Sequence, residues 1–345
     1  MHLFQTPRRR VGPILIAMGL LGAACSDQPA TVDAFITNDA AVDSVAVEDI
    51  QEIDSSDALA PDLADCPPVE ASTKVDVPYN KIQGVNANLL SLDIYSPART
   101  NSCESVPVIV WVHGGGWAAG DKGNGLDDKI KLFNDAGYVL VSINYRLSPN
   151  PANTSNLERV KFPIHPQDVA KALKEIADRI HAYGGDPSRI ALLGHSAGAH
   201  LVSLVATDQS YLEAEGKSLG LIRCTASIDT AAYDLPTRLD GADAASTELY
   251  VNAFGSDEAV WTQASPITHV AAGKGISPIL LVIRGAELRR TINAAFSKKL
   301  TDAQIEVTEV DGLQLSHGQV NSHIGKAGDT VITPPLMTFY TGCFE

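Results

Sequence analysis

The sequence predicts an α/β domain, a mostly parallel sheet with helices on both faces, preceded by a segment of different character. Three observations carry that prediction. From about Val75 onwards, short apolar runs alternate with helix-length amphipathic segments. The runs Val106–Val112 and Tyr138–Tyr145 are almost continuously apolar, as strands covered on both faces require. Apolar residues make up 45% of the 345-residue chain, enough for the core of one large domain.

In chain order, Val75–Tyr79 and Leu89–Tyr95 read as an antiparallel hairpin at the sheet edge. Val106–Val112 and Tyr138–Tyr145 follow as buried strands, with a short helix over Asp127–Asn134 between them. His165–Tyr183 places Val169, Leu173, Ile176 and Ile180 at helical spacing and stops at Gly184-Gly185-Asp186-Pro187. Arg189–Leu193 is a further buried strand and Ala197–Ala206 a helix of small residues. Leu221–Ile228, Ile279–Ile283 and Ile305–Val310 supply three more strands, and helices are expected around Arg290–Leu300 and Pro335–Thr341. The stretch 229–275 has few strand signals and holds Tyr233, Tyr250, Phe254 and Trp261. It reads as a cap or pocket wall whose aromatics pack.

The first 25 residues have the form of an export signal: Arg8-Arg9-Arg10, then the apolar Val11–Leu21, too short to span a bilayer comfortably. Leu21-Gly22-Ala23-Ala24-Cys25 resembles a bacterial lipoprotein cleavage site, which implies lipidation of Cys25 and anchoring to a membrane of the cell envelope. Gly22 departs from the apolar residue usual three places before the cysteine. The alternative is an ordinary secretory signal cut near Ala24, giving a periplasmic or secreted protein. Residues 26–72 contain twelve acids and no Lys or Arg, a composition that cannot bury enough surface to fold, so a disordered acidic tether is expected there and a folded domain over 73–345.

The whole chain carries a net charge of −15, but outside these two segments 29 acids face only 23 bases. The lack of a basic stripe to neutralise phosphates argues against nucleic acid as a partner. Four cysteines remain besides Cys25, an even number that in an exported chain suggests two disulfides with three possible connectivities. The pairing expected is Cys66–Cys103, joining the tether's end to the domain, and Cys224–Cys343, pinning the C-terminus. Unpaired buried cysteines are the alternative.

Two motifs carry chemistry. Gly194-His195-Ser196-Ala197-Gly198 directly follows a strand and directly precedes a helix, the context in which a sharp turn lifts a serine hydroxyl clear of the sheet. His113-Gly114-Gly115-Gly116-Trp117 follows the strand ending at Val112. Attack by Ser196 on a carbonyl would create an oxyanion that needs preorganised N–H donors, assigned here to Gly115, Gly116 and Ala197.

Together with Asn144-Tyr145-Arg146-Leu147, the helix containing Asp168 and Gly184-Gly185-Asp186-Pro187, these motifs resemble the α/β-hydrolase superfamily. Within it they are similar to the esterase branch of hormone-sensitive-lipase-like, kynurenine formamidase-like and bacterial feruloyl-esterase-like (BD-FAE-like) enzymes. The resemblance spans about Val75 to Phe344. It implies an eight-stranded sheet, neither metal nor organic cofactor, and hydrolysis of a small-molecule ester through an acyl-enzyme. An aryl formamidase, or a surface lipoprotein that uses the fold only for binding, are the alternatives. The oligomeric state is not read from the sequence.

The general base should be a histidine near the C-terminus, since this fold runs serine, acid, histidine along the chain. His113 and His195 belong to the two motifs, His165 and His181 flank a helix, His200 packs beneath the site and His269 falls in the cap. Of His317 and His323, His317 is preferred because it follows the strand Ile305–Val310 after a short loop. The acid is expected in the turn after Ile279–Ile283, where relatives usually show Gly-x-x-Asp. Here Gly285 is followed three residues later by Leu288, and the carboxylate comes one place early, at Glu287. Glu287 is therefore the expected acid, with Asp257 and Asp311 as rivals. Asp229 and Asp234 are assigned to capping or loop roles.

Overall fold

The computed structural model describes residues 66–72 and 74–345. The signal-like segment, Cys25 with its expected lipidation, and the acidic stretch as far as Asp65 lie outside the described residues. Among the described residues the strands are β1 (Val75–Pro78), β2 (Ser91–Tyr95), β3 (Val106–Val112), β4 (Val139–Ile143), β5 (Gly185–His195), β6 (Ile222–Ile228), β7 (Ile279–Ile283) and β8 (Val307–Asp311). They form one sheet in the order β1-β2-β4-β3-β5-β6-β7-β8. The β1–β2 hairpin is the antiparallel edge the sequence predicts, and β2 joins β4 antiparallel. From β4 to β8 every pairing is parallel.

The helices are α1 (Asp127–Asp135), α2 (Ile164–Arg179), α3 (Ala197–Thr207), α4 (Ser210–Glu213), α5 (Leu235–Leu239), α6 (Ala244–Phe254), α7 (Glu258–Gln263), α8 (Pro266–His269), α9 (Glu287–Asp302), α10 (His317–Ser322) and α11 (Thr333–Phe344). Strand periodicity explains why the central runs are wholly apolar. Val108, Val110 and Val112 face α2 and α3, packing with Val169, Leu173 and Leu201. Ile109 and Trp111 point the opposite way, towards Phe133 of α1 and Leu336 and Tyr340 of α11. Each face of β3 therefore has its own hydrophobic layer, so no position on it can be polar without a partner.

Both expected disulfides are present, Cys66–Cys103 and Cys224–Cys343. The first brings the folded region forward of the boundary expected at residue 73. Val69 and Arg99 exchange backbone hydrogen bonds of 2.8 Å, and the Ser102 N–H donates to Pro67 O at 3.0 Å. Backbone pairing and a covalent link together hold Cys66–Ser72, acidic though its surroundings are.

Between β6 and β7 the chain makes the four helices α5 to α8, the insertion expected over 229–275. Its aromatics pack, as predicted. Tyr233 stacks on Phe296 with ring centroids 4.3 Å apart, and Tyr250 and Phe254 close on Trp117 at 5.4 and 4.8 Å. Strand register leaves the carboxyl ends level: Val112 pairs with Gly194, His195 with Ile228, and Ile228 with Val282. The residues that follow these strands are thus delivered side by side at one edge of the sheet, where parallel α/β sheets carry their sites.

Candidate active site

Ser196 stands between β5 and α3 with φ 56° and ψ −117°, a conformation that L-residues adopt only under constraint. The constraint is steric. A Cβ at Gly194 would lie 2.4 Å from Gly198 O, and a Cβ at Gly198 would lie 2.0 Å from Val112 O. Both glycines are needed because strand and helix approach more closely than any side chain allows, and that approach thrusts the serine outward.

The loop after β3 runs alongside. Gly115 and Gly116 adopt φ of 120° and 59°, which only glycine takes without cost, and their turn closes through Gly115 O accepting from the N–H groups of Ala118 and Ala119. Among the described residues nothing accepts from the N–H groups of Gly115, Gly116 or Ala197, the three donors assigned from sequence. Gly115 and Gly116 line, with Ser196 and His317, an open cleft of about 570 Å³. The loop is tied down behind them. Lys122, 2% exposed, donates to Asp93 at 2.6 Å, while its backbone N–H donates to Asn144 Oδ1 at 2.7 Å.

His317 is the first residue of α10. Ser316 and Gln319 form a reciprocal capping box, with the Gln319 N–H donating to Ser316 Oγ at 3.2 Å and the Ser316 N–H to Gln319 Oε1 at 2.8 Å. That cap fixes the start of the helix and so the position of the ring. His317 Nε2 lies 3.0 Å from Ser196 Oγ, placed to accept the hydroxyl proton. His195, inside the serine motif, donates from Nε2 to the carbonyl of His317 at 2.9 Å. Burial, with His317 beside it, pushes the His195 imidazole down to about 4, so the ring stays neutral and keeps this bond. The rival His323 is engaged elsewhere, 3.1 Å from Asp329, which also accepts the N–H groups of Ile332 and Thr333.

The acid differs from expectation. The carboxylate on His317 Nδ1 is Asp229, at 2.6 Å, the residue directly after β6. Its side chain is fully buried, and its second and third partners come from the turn after β7 and the first turn of α9. Arg284 Nη1 donates to Oδ2 at 2.8 Å, and Arg289 Nη1 to Oδ1 at 2.7 Å. Arg284 Nε also donates to Leu315 O at 3.1 Å, joining this turn to the loop that carries His317. Burial alone would push the Asp229 carboxyl up. The hydrogen bond from His317 and the charges of Arg289 and Arg284 outweigh it and hold the group down at about 2.

Glu287 is instead the first residue of α9, exposed, where a negative charge complements the helix N-terminus. Asp257 caps α7 through the Ala259 N–H at 2.9 Å, and Asp311 accepts the Leu313 N–H at 2.9 Å. None of the three touches His317. Asp234 does cap a helix, accepting the Thr237 N–H at 3.1 Å, as assigned. His200 lies beneath the site as expected, donating to Ala264 O at 2.7 Å and accepting from Trp117 Nε1 at 3.3 Å. Burial lowers it to about 4, keeping it in the neutral form this pair of bonds requires.

The chain is similar to proteins named as ester hydrolases. The family model BD-FAE matches residues 92–303. The probable carboxylic ester hydrolase LipM of Mycobacterium tuberculosis is 34% identical over 131 residues, 38% of this chain and 27% of that protein. The para-nitrobenzyl esterase of Bacillus subtilis is 30% identical over 142 residues, 39% of this chain and 27% of that protein. The match thus spans about a quarter of the length of these relatives. Among solved structures, an inhibited esterase B from Lactobacillus rhamnosis superposes with a TM-score of 0.62 at 20% identity, covering 78% of this chain and 87% of that one. At that identity the likeness speaks for the fold.

Proposed function

The chain belongs to the BD-FAE family, and from that premise we propose that it is a serine hydrolase that cleaves carboxylic esters through an acyl-enzyme. One observation carries the reading: Ser196, His317 and Asp229 form a continuous relay, with links of 3.0 and 2.6 Å, beside unpaired N–H groups. Ser196 Oγ attacks the carbonyl carbon as its proton passes to His317 Nε2. Asp229 keeps the ring's other proton on Nδ1 and faces the cation that forms. The N–H groups of Gly115, Gly116 and Ala197 receive the oxyanion, each such donor lowering the barrier by about 3 kcal/mol. His317 then returns the proton to the leaving alcohol, and water repeats the sequence on the acyl-enzyme.

Small esters, with short acyl or aryl groups, suit the site. The cleft is open and of modest size, and α5 to α8 form a cap without a long apolar lid, the longest helix having 11 residues. Export is supported by the Arg8–Arg10 and Val11–Leu21 pattern and by the two disulfides, and lipid anchoring by Cys25 at the end of that pattern. A Cys25→Ser change should move the protein from the membrane fraction to the soluble one. If distribution does not change, the anchor is wrong.

The test of the activity is turnover of p-nitrophenyl acetate with labelling by a fluorophosphonate, both abolished in Ser196→Ala. Folded wild-type protein that neither labels nor turns over would sink the reading and leave a binding role. Including an aryl formamide in the panel separates the formamidase alternative, which requires that amide to outrun the esters.

A further inference from the structure

The cleft beside Ser196 is lined by glycines, histidines, asparagines, Asp121 and Trp111, with a single aliphatic side chain, that of Leu249. Leu249 projects from the cap helix α6 directly over the oxyanion loop: a Cβ at Gly116 would lie 2.8 Å from its Cδ1. The residue is 40% exposed, an apolar surface left uncovered by the described residues. The helix itself has little freedom. Tyr250 and Phe254 close on Trp117, the residue after Gly116, and Arg159 donates to the carbonyls of Val251 and Asn252 at 2.8 and 3.1 Å. The position of Leu249 relative to the oxyanion glycines is therefore fixed by packing on the same loop.

We propose that Leu249 is the residue that sets acyl-chain length, roofing the subsite in which the acyl group of the ester lies. The inference rests on the serine-esterase reading. In the tetrahedral intermediate the carbon carries Ser196 Oγ, the oxyanion, the leaving oxygen and the acyl chain. The leaving oxygen must face His317 Nε2 to receive its proton, and the oxyanion faces the glycine N–H groups. The acyl chain takes the remaining direction, away from His317 and under the cap. An apolar chain there finds one aliphatic contact, Leu249, which covers the first carbons and blocks the path of longer ones.

The test compares wild type with Leu249→Ala and Leu249→Trp. Truncating or enlarging the side chain of a residue that is 40% exposed leaves the core intact. The value of kcat/KM is read on p-nitrophenyl acetate, butyrate and octanoate, and on 1-naphthyl acetate to vary the alcohol alone. Leu249→Ala should raise the octanoate-to-acetate ratio about tenfold, and Leu249→Trp should lower the butyrate-to-acetate ratio by about the same factor. Acyl ratios that stay at the wild-type values overturn the proposal, as does a change confined to the naphthyl-to-nitrophenyl ratio, which would put Leu249 on the alcohol side. Wild type that turns over no ester would instead bring down the esterase reading beneath it, a failure distinct from turnover with an unmoved chain-length profile.

Discussion

Two neighbouring turns of this molecule could each have supplied the carboxylate that meets His317, and only one does. The turn after β6 presents Asp229 with no exposed side-chain surface, at φ 54°, and with its backbone N–H donating to Val282 O of the next strand at 3.3 Å. The turn after β7 presents Glu287 to solvent and directs Arg284 and Arg289 inward. Because Ile228 and Val282 are in register, the two turns leave the sheet side by side and compete for the same histidine. What matters is which one buries an anion. A buried carboxylate needs opposing charge, and here the adjacent turn is the source of that charge.

The sharpest way to break this comparison is to neutralise each carboxylate in turn. Asp229→Asn should reduce kcat on the order of 10⁴-fold, because the amide presents the wrong partner to Nδ1 and the ring settles in the wrong tautomer. Glu287→Ala should leave kcat within about twofold, having no contact with the relay. Steady-state turnover of p-nitrophenyl acetate decides between them. A Glu287→Ala loss matching that of Asp229→Asn would return the acid to the turn after β7.

Next in size is the effect of the arginines. Arg289→Ala or Arg284→Ala should lower kcat about 10- to 100-fold, as Asp229 loses one of the groups that hold it against His317. KM should change little. Combined with Asp229→Asn, either change should add almost nothing, since the arginines act through that carboxylate. Losses that simply multiply would mean that the arginines only support the fold.

Most of this architecture was legible in sequence because it is written in local pattern. The strands Val106–Val112 and Ile279–Ile283 have the predicted limits, since a strand buried on both faces must be continuously apolar. The serine turn, the glycine turn after β3 and the placement of His317 beside Ser196 were legible because each sits where a strand gives way to a turn. The acid was not, since reach across two parallel strands depends on register, which linear spacing does not encode. A fixed distance from Gly285 points to Glu287 rather than to Asp229, the first residue after a strand buried along nearly all its length. The signal lay in charge. Arg284 and Arg289 flank one lone glutamate at the end of a buried strand, and two cations there require an anion from elsewhere. The role of His195 was missed for a similar reason, since its partner, the carbonyl of His317, is 122 residues away.

A smaller effect separates the two turns by pH. The Asp229 carboxyl is held at about 2 in the folded protein against an ordinary 3.8. A depressed carboxyl contributes stability above its unfolded value and loses it as pH falls through the folded one. Asp229 should thus contribute about 2 kcal/mol above pH ~4, fading as pH falls towards ~2. Urea midpoints of wild type and Asp229→Asn should draw together over that window. Midpoints that stay a fixed distance apart across that window would contradict the turn after β6 as the holder of a buried anion.

The mildest perturbation acts on the turn after β7 without touching a charge. Gly285 adopts φ 89°, and a Cβ placed on it would lie 2.9 Å from Cδ of Arg289. Gly285→Ala should therefore cost about 1 kcal/mol in backbone strain. It should also push the Arg289 side chain off its line to Asp229 Oδ1, because a flexible arginine yields more readily than the strand end beneath it. The expected result is a severalfold fall in kcat that disappears when Arg289 is already alanine. Strain alone would lower stability equally in both backgrounds and leave kcat untouched. Stability and turnover measured on the same pair of proteins thus separate the backbone's demand for glycine from the space that Arg289 requires to hold the acid.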